Sequence, residues 1–205
     1  MIGHRLSRAA AGLALAGALI VGTAAQAQFS GSYKFLEAVR KADGAEVTEA
    51  LSEPGSTVVN TRDLSTGDTA LHIVTARRDL VWIKFLLQHG ANVNARNNKG
   101  ETPLQAASNI GFVDGVELLL SLGARVDEAN STGETPLISA VHRKDAAMAR
   151  VLLKAGADYK RSDNSGRTAL DYAQLDGRSN PVLGEIETAM RAPVKKAAPV
   201  YGPKL

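Results

Sequence analysis

The sequence predicts an all-α solenoid of short helical pairs joined by hairpin loops, and three observations carry that prediction. Gly67, Gly100, Gly133 and Gly166 recur at a constant step of 33 residues. In the same phase Thr69, Thr102, Thr135 and Thr168 follow, and then Leu71, Leu104, Leu137 and Leu170. Gly90, Gly123 and Gly156, preceding Ala91, Ala124 and Ala157, mark the far end of each unit. A fixed period of roughly 20 to 50 residues is the mark of a repeat architecture.

The chain opens with a leader pattern. His4, Arg5 and Arg8 are basic, Ala9 to Val21 are apolar, and Ala25-Gln26-Ala27 precedes Gln28 as an A-x-A cleavage site. Residues 1–27 are therefore expected to be a secretory signal peptide, cut between Ala27 and Gln28. An uncleaved membrane anchor is the competing reading, but the apolar stretch is shorter than the roughly 20 residues a span needs. Cysteine is absent, so disulfides play no part, and the leader points to the periplasm.

Residues 28–63 are expected to form an N-terminal capping repeat, with a helical apolar pattern in Phe35, Leu36, Ala38 and Val39. The phase breaks here, because Asn60 stands 34 residues before Asn94.

Residues 64–162 hold three full units. In these, Thr102 and Thr135 suit the N-cap of a first helix whose opening position is Pro103 or Pro136, where a missing N–H costs nothing. A second helix carries Leu86-Leu87, Leu119-Leu120 and Leu152-Leu153, and ends where Gly90, Gly123 or Gly156 can adopt a left-handed conformation. Between units, Asn92 to Gly100 has the composition of a solvated hairpin. One unit cannot cover its own apolar face, so stability must come from stacking. Trp82 matches Gly115 and Met148 in register, and its place on the leucine-bearing helix predicts a core role beside Gly115.

The segments GDTALHIVTA, GETPLQAASN, GETPLISAVH and GRTALDYAQL, followed by LLQHGANVNA, LLSLGARVDE and LLKAGADYKR, resemble the ankyrin-repeat family. The likeness covers about residues 33 to 190 and implies helix-turn-helix units plus hairpin loops. It also implies that the motif histidine ties neighbouring loops by hydrogen bonds. That residue survives as His72 but is Gln105, Ile138 and Asp171 in later units. The glycine between the two helices survives as Gly111 and Gly177, whereas Arg78 and Lys144 predict turns of a different shape.

Residues 163–190 begin as a repeat but lose the leucine pair, as a C-terminal cap would. Residues 191–205 are expected to be a disordered basic tail. Removing the six bases of leader and tail from 24 leaves 18 against 21 acidic residues, so the body is near −3 and has no nucleic-acid-binding stripe.

A catalytic reading lacks material. Beyond the leader the histidines are His72, His89 and His142, and they show no metal-ligand spacing. No cofactor is expected, and the chain reads as a non-enzyme. The resemblance instead implies protein binding through hairpin tips and first-helix ends in a concave groove. By register these are Asp68, Ala76, Arg77, Asn98, Lys99, Glu101, Asn109 and Ile110, then Ser131, Thr132, Glu134, His142, Arg143, Asn164, Ser165 and Arg167. The expected partner is another protein, with no nucleic acid and no stable membrane anchor once the leader is cut, and the chain is expected to be a monomer. It would hold a partner in the periplasm, protecting or inhibiting an exported enzyme. Two other readings stay open: an enzyme with a carboxylate site at Glu101 and Glu134, and a module docked on anionic lipid or wall polymer by its tail.

Overall fold

The structure, a computed structural model, describes residues 21–191, with side chains from residue 31 onward. Its helices form five helix-turn-helix pairs: α1 (Val21–Lys41) with α2 (Gly44–Ser52), α3 (Ala70–Ala76) with α4 (Leu80–Gln88), α5 (Pro103–Asn109) with α6 (Val113–Ser121), α7 (Pro136–His142) with α8 (Ala146–Lys154), and α9 (Ala169–Asp176) with α10 (Val182–Arg191). First helices stack in one layer, α1 on α3 on α5 on α7 on α9. Second helices stack behind them, with α8 held closely by α10 and α4 more sparsely by α6. The fold is thus the all-α solenoid expected, with three full units between two atypical end pairs. The expected cleavage point at Ala27–Gln28 falls within α1, and the remainder of the leader and the tail from residue 192 lie outside the described residues.

Local chemistry explains the starts of four helices in the full units. Thr102 Oγ1 accepts the Gln105 amide at 3.2 Å and Thr135 Oγ1 the Ile138 amide at 3.3 Å, with proline at the first helical position in both. Second helices use aspartate: Asp79 accepts from the Trp82 amide and Asp145 from the Met148 amide, each about three residues in. In α6 the cap position is Phe112, which makes no side-chain cap bond. Gly90, Gly123 and Gly156 end the second helices with positive φ, as expected.

Leu71, Leu104 and Leu137 of the first helices and Leu86, Leu119 and Leu152 of the second are fully buried. At about 1.5–3 kcal/mol for each buried leucine, this double row forms a continuous spine through the stack. Leu87, Leu120 and Leu153 are only half-buried against it.

Two expectations need correction. The Trp82 indole does not fill the space beside Gly115. It is half-buried, with its ring centroid 5.8 Å from that of Phe85 and 5.3 Å from the Arg77 guanidinium. Phe112, from the same unit as Gly115, takes that space instead. The turns at Arg78 and Lys144 are also not of a different shape. Their φ values of 61° and 56° match the 64° of Gly111, and all three close the same pair of backbone bonds, so stacking imposes one left-handed turn there and the side chains bear its strain. Gly177, with φ of 59° and ψ of −142°, turns differently into a short 3-10 segment.

The hairpins stack as a ladder. The Asn98 amide donates to Thr66 O at 2.9 Å, Ser131 to Lys99 O at 2.9 Å and Asn164 to Thr132 O at 3.0 Å. Glycine is required beneath these bonds: Gly133 has φ of 81°, and a Cβ there would lie 2.6 Å from the Asn164 amide nitrogen.

The phase break has a local cause. The hairpins of the later units close from Asn97 N to Glu101 O, Asn130 N to Glu134 O and Asp163 N to Arg167 O, whereas the first closes from Asp63 N to Asp68 O, one residue longer. The added residue lies in the tip that carries Leu64, whose side chain is 84% exposed.

Candidate partner-binding surface

The surface formed by first-helix ends and hairpins is organised by hydrogen bonds that run from unit to unit. Asn97 Nδ2 donates to Asp68 Oδ1 at 3.0 Å and to Glu101 Oε2 at 3.2 Å, and Asn109 Nδ2 donates to Glu101 Oε1 at 2.9 Å. Asn109 Oδ1 in turn accepts from Gln105 Nε2 at 3.1 Å and from Ser139 Oγ at 2.5 Å. Further along, His142 Nδ1 meets Glu134 Oε1 at 3.3 Å, its ring stands edge-on to Tyr172 at 4.6 Å, and Tyr172 OH donates to Asp163 Oδ2 at 2.7 Å. Glu101 and Glu134 are thereby occupied as acceptors within the fold.

Basic residues clamp the open ends of the first helices, where carbonyls lack intrahelical partners. Arg77 donates to Val39 O at 2.7 Å and pairs with Asp79 at 3.2 Å; Arg143 donates to Asn109 O at 3.0 Å. Arg78 donates to the carbonyl of Ile110, the half-buried C-cap of α5. Arg77, Arg143 and Ile110 therefore serve the joints between units as well as the surface.

The hairpin tips are more available. Asn98, Lys99, Ser131, Thr132, Asn164, Ser165 and Arg167 are exposed, as is Ala76 at the end of α3, while Asp68 is half-buried. Asn98 and Asn164 hold the preceding hairpin, each through Nδ2 at 3.0 Å, to Ser65 O and Ser131 O. Arg167 stacks its guanidinium 5.8 Å from the Tyr172 ring. Sequence reasoning overlooked Leu64 and Leu175, which is 71% exposed and stands one register step beyond His142. The 34-residue step was a signal of the first, since it required an extra residue between Asn60 and Asn94.

His72 makes the bonds the motif histidine was expected to make. Its Nδ1 accepts the Thr69 amide at 3.2 Å, so Nε2 carries the proton and donates to Glu101 O in the next hairpin at 3.0 Å. Burial is the main influence lowering its pKa, against the bond to Glu101 O and the charges of Asp68 and Glu101, and the ring is neutral. Gln105 sits at the same register fully buried, but turns its amide toward Asn109 and leaves Oε1 without a donor. Ile138 offers no bond there. At the last hairpin, burial would raise the Asp163 carboxyl. Hydrogen bonds from Ser165 Oγ, Tyr172 OH and the Arg167 and Ser165 amides outweigh it and hold it at about 2.

Two ankyrin-repeat family descriptions match the chain, one of three copies over residues 35–130 and one of many copies over residues 119–173. The chain is an ankyrin-repeat protein. A fowlpox virus (strain NVSL) ankyrin repeat protein is 40% identical over 62 residues, 30% of this chain and 18% of that protein. The yeast (Saccharomyces cerevisiae) oxysterol-binding protein homolog 1 is 31% identical over 80 residues, 38% of this chain and 7% of that protein. This ankyrin-repeat protein thus spans under a fifth of the length of either relative. Ankyrin repeats are generally protein-interaction modules and typically non-enzymatic scaffolds. Among the described residues of this one, no cluster of acidic residues and histidines has the geometry to hold a metal ion, and no helix is long and apolar enough to cross a membrane.

Proposed function

We propose that this ankyrin-repeat protein is exported, cut between Ala27 and Gln28, and holds a partner protein in the groove between its first-helix ends and hairpin tips. In the periplasm it would protect or inhibit an exported enzyme. One observation carries the reading: a row of polar side chains runs across three successive units, fixed by the Asp68–Asn97–Glu101–Asn109–Ser139 bonds. Such a row is already ordered, so a partner loses little side-chain entropy in meeting it. The exposed Lys99, Ser131 and Ser165 at the tips, with Leu64 and Leu175 toward the two ends, supply contacts on both sides of it. Three to four repeats can present the roughly 800 Å² per partner of a standard interface.

The test places a photocrosslinking residue at Lys99, Ser131 or Ser165, and at Lys84 on the opposite layer, in the native compartment. A single partner captured from the three tip positions and not from Lys84 is the expected result. Capture from Lys84 alone would move the working surface to the second-helix layer. Sequencing the amino terminus of the exported protein tests the leader. A chain that starts at Met1 and fractionates with membranes would refute both export as a soluble protein and the periplasmic site of action.

A further inference from the structure

Successive joints between repeats are closed at one place by a single side chain. Asn60 accepts the Asn92 amide at 2.7 Å and donates from Nδ2 to the Gly90 carbonyl at 3.0 Å. One unit on, Asn94 accepts the Arg125 amide at 2.9 Å and donates to the Gly123 carbonyl at 3.4 Å. In the next unit the residue is Asp127, which accepts the Asp158 amide at 3.0 Å. A carboxylate has no proton to give, so it cannot make the second bond of the pair, which by register would go to Gly156 O.

The charges around Asp127 come from three elements. Asp158, in the loop after α8, adds repulsion, while Arg161 near the last hairpin attracts. Glu128, beside it in sequence, is neutralised by Arg96 at 2.8 Å and Arg125 at 3.1 Å. Burial of the half-buried carboxyl is the strongest influence and pushes its pKa up. The Asp158 charge acts the same way, and the Asp158 amide and Arg161 oppose it.

We propose that Asp127 is a proton-operated latch: on taking up a proton from solvent it becomes donor as well as acceptor and completes the joint that presents the last hairpin. That hairpin carries Asn164, Ser165 and Arg167, so the latch governs the C-terminal end of the tip surface. The direction follows from linkage. A carboxyl whose pKa is raised by folding adds its stability below the unfolded value and loses it as pH rises through the folded value. Acidification therefore tightens the C-terminal repeat, and neutral pH loosens it.

The experiment compares the full chain with Asp127→Asn, whose amide makes both bonds without a proton. At pH 7 the variant should melt about 2–4 °C higher, the effect of one added hydrogen bond in a domain of this size. The advantage should vanish as pH falls toward the ordinary aspartate value of about 3.9. Other titrating groups, His72 among them, are common to both proteins and cancel in the difference. Carbon-detected NMR on the unmutated chain gives an independent reading: the Asp127 carboxyl should titrate above the ordinary aspartate range. Parallel stability–pH curves, or an Asp127 carboxyl titrating at or below the ordinary value, would overturn the latch.

Discussion

The Phe112 ring occupies the space a side chain at Gly115 would need: a Cβ built there would lie 2.2 Å from Phe112 Cδ1. The pair replaces the device of the neighbouring units, where Asp79 and Asp145 cap the amides of Trp82 and Met148, the residues in register with Gly115. One unit has exchanged a polar helix cap for an apolar plug.

Gly115→Ala should therefore overpack α6 and cost about 1–3 kcal/mol, even though alanine is the better helix former. With Phe112→Ala as background the sign should invert, because the clash is gone and the gain of about 0.5–1 kcal/mol from replacing a helical glycine remains. Urea unfolding of the four proteins closes the cycle. Additive effects would mean that Phe112 does not dictate the glycine.

His72 links stability to pH in a defined direction. Its pKa is lowered by burial, so folding favours the neutral ring, and stability present above the ordinary value of about 6.5 is lost as pH falls below it. The urea midpoint should drop between pH 7 and 5, and His72→Gln should flatten that slope. At pH 7 the same variant should cost about 1–3 kcal/mol if the amide leaves either Thr69 N or Glu101 O unpaired.

Lys144 has φ of 56° and pays for that conformation with little in return, since its contact to Asp176 at 3.5 Å is an exposed ion pair. Lys144→Gly should stabilise the protein by about 1 kcal/mol. The paired control Lys154→Gly, at the last residue of α8 where the backbone is still helical, should destabilise by up to about 0.5–1 kcal/mol. Thermal melts of both variants decide the matter, and two changes of the same sign would contradict it.

Core and surface should separate by substitution. Leu119→Ala empties a fully buried position and should cost about 2–5 kcal/mol. Lys99→Ala, at an exposed tip, should stay within about 0.5 kcal/mol while weakening partner capture. Arg143→Ala belongs between them, because its bond to Asn109 O leaves a helix-end carbonyl to find water at about 1 kcal/mol. If Lys99→Ala unfolds the protein as readily as Leu119→Ala, the assignment of faces fails.

The period of 33 residues, read with Thr102-Pro103 and the paired leucines, was enough by itself to determine the units, their helix starts and the buried spine of Leu71, Leu104, Leu137, Leu86, Leu119 and Leu152. These are local or periodic properties: a cap bond spans three residues, and stacking identical units repeats one burial pattern. Identity of register did not determine identity of role. Trp82, Gly115 and Met148 share one position, yet whether the tryptophan or Phe112 fills the gap depends on side-chain directions that the linear phase does not contain. Likewise Arg78 and Lys144 look unsuited to a glycine turn, and only the packing of one pair on the next imposes the left-handed conformation on them. Arg77, Arg143 and Asn109 read as surface residues by position. Tertiary structure gave them a second duty, because the carbonyls and side chains they satisfy belong to neighbouring repeats at least 30 residues away in the chain.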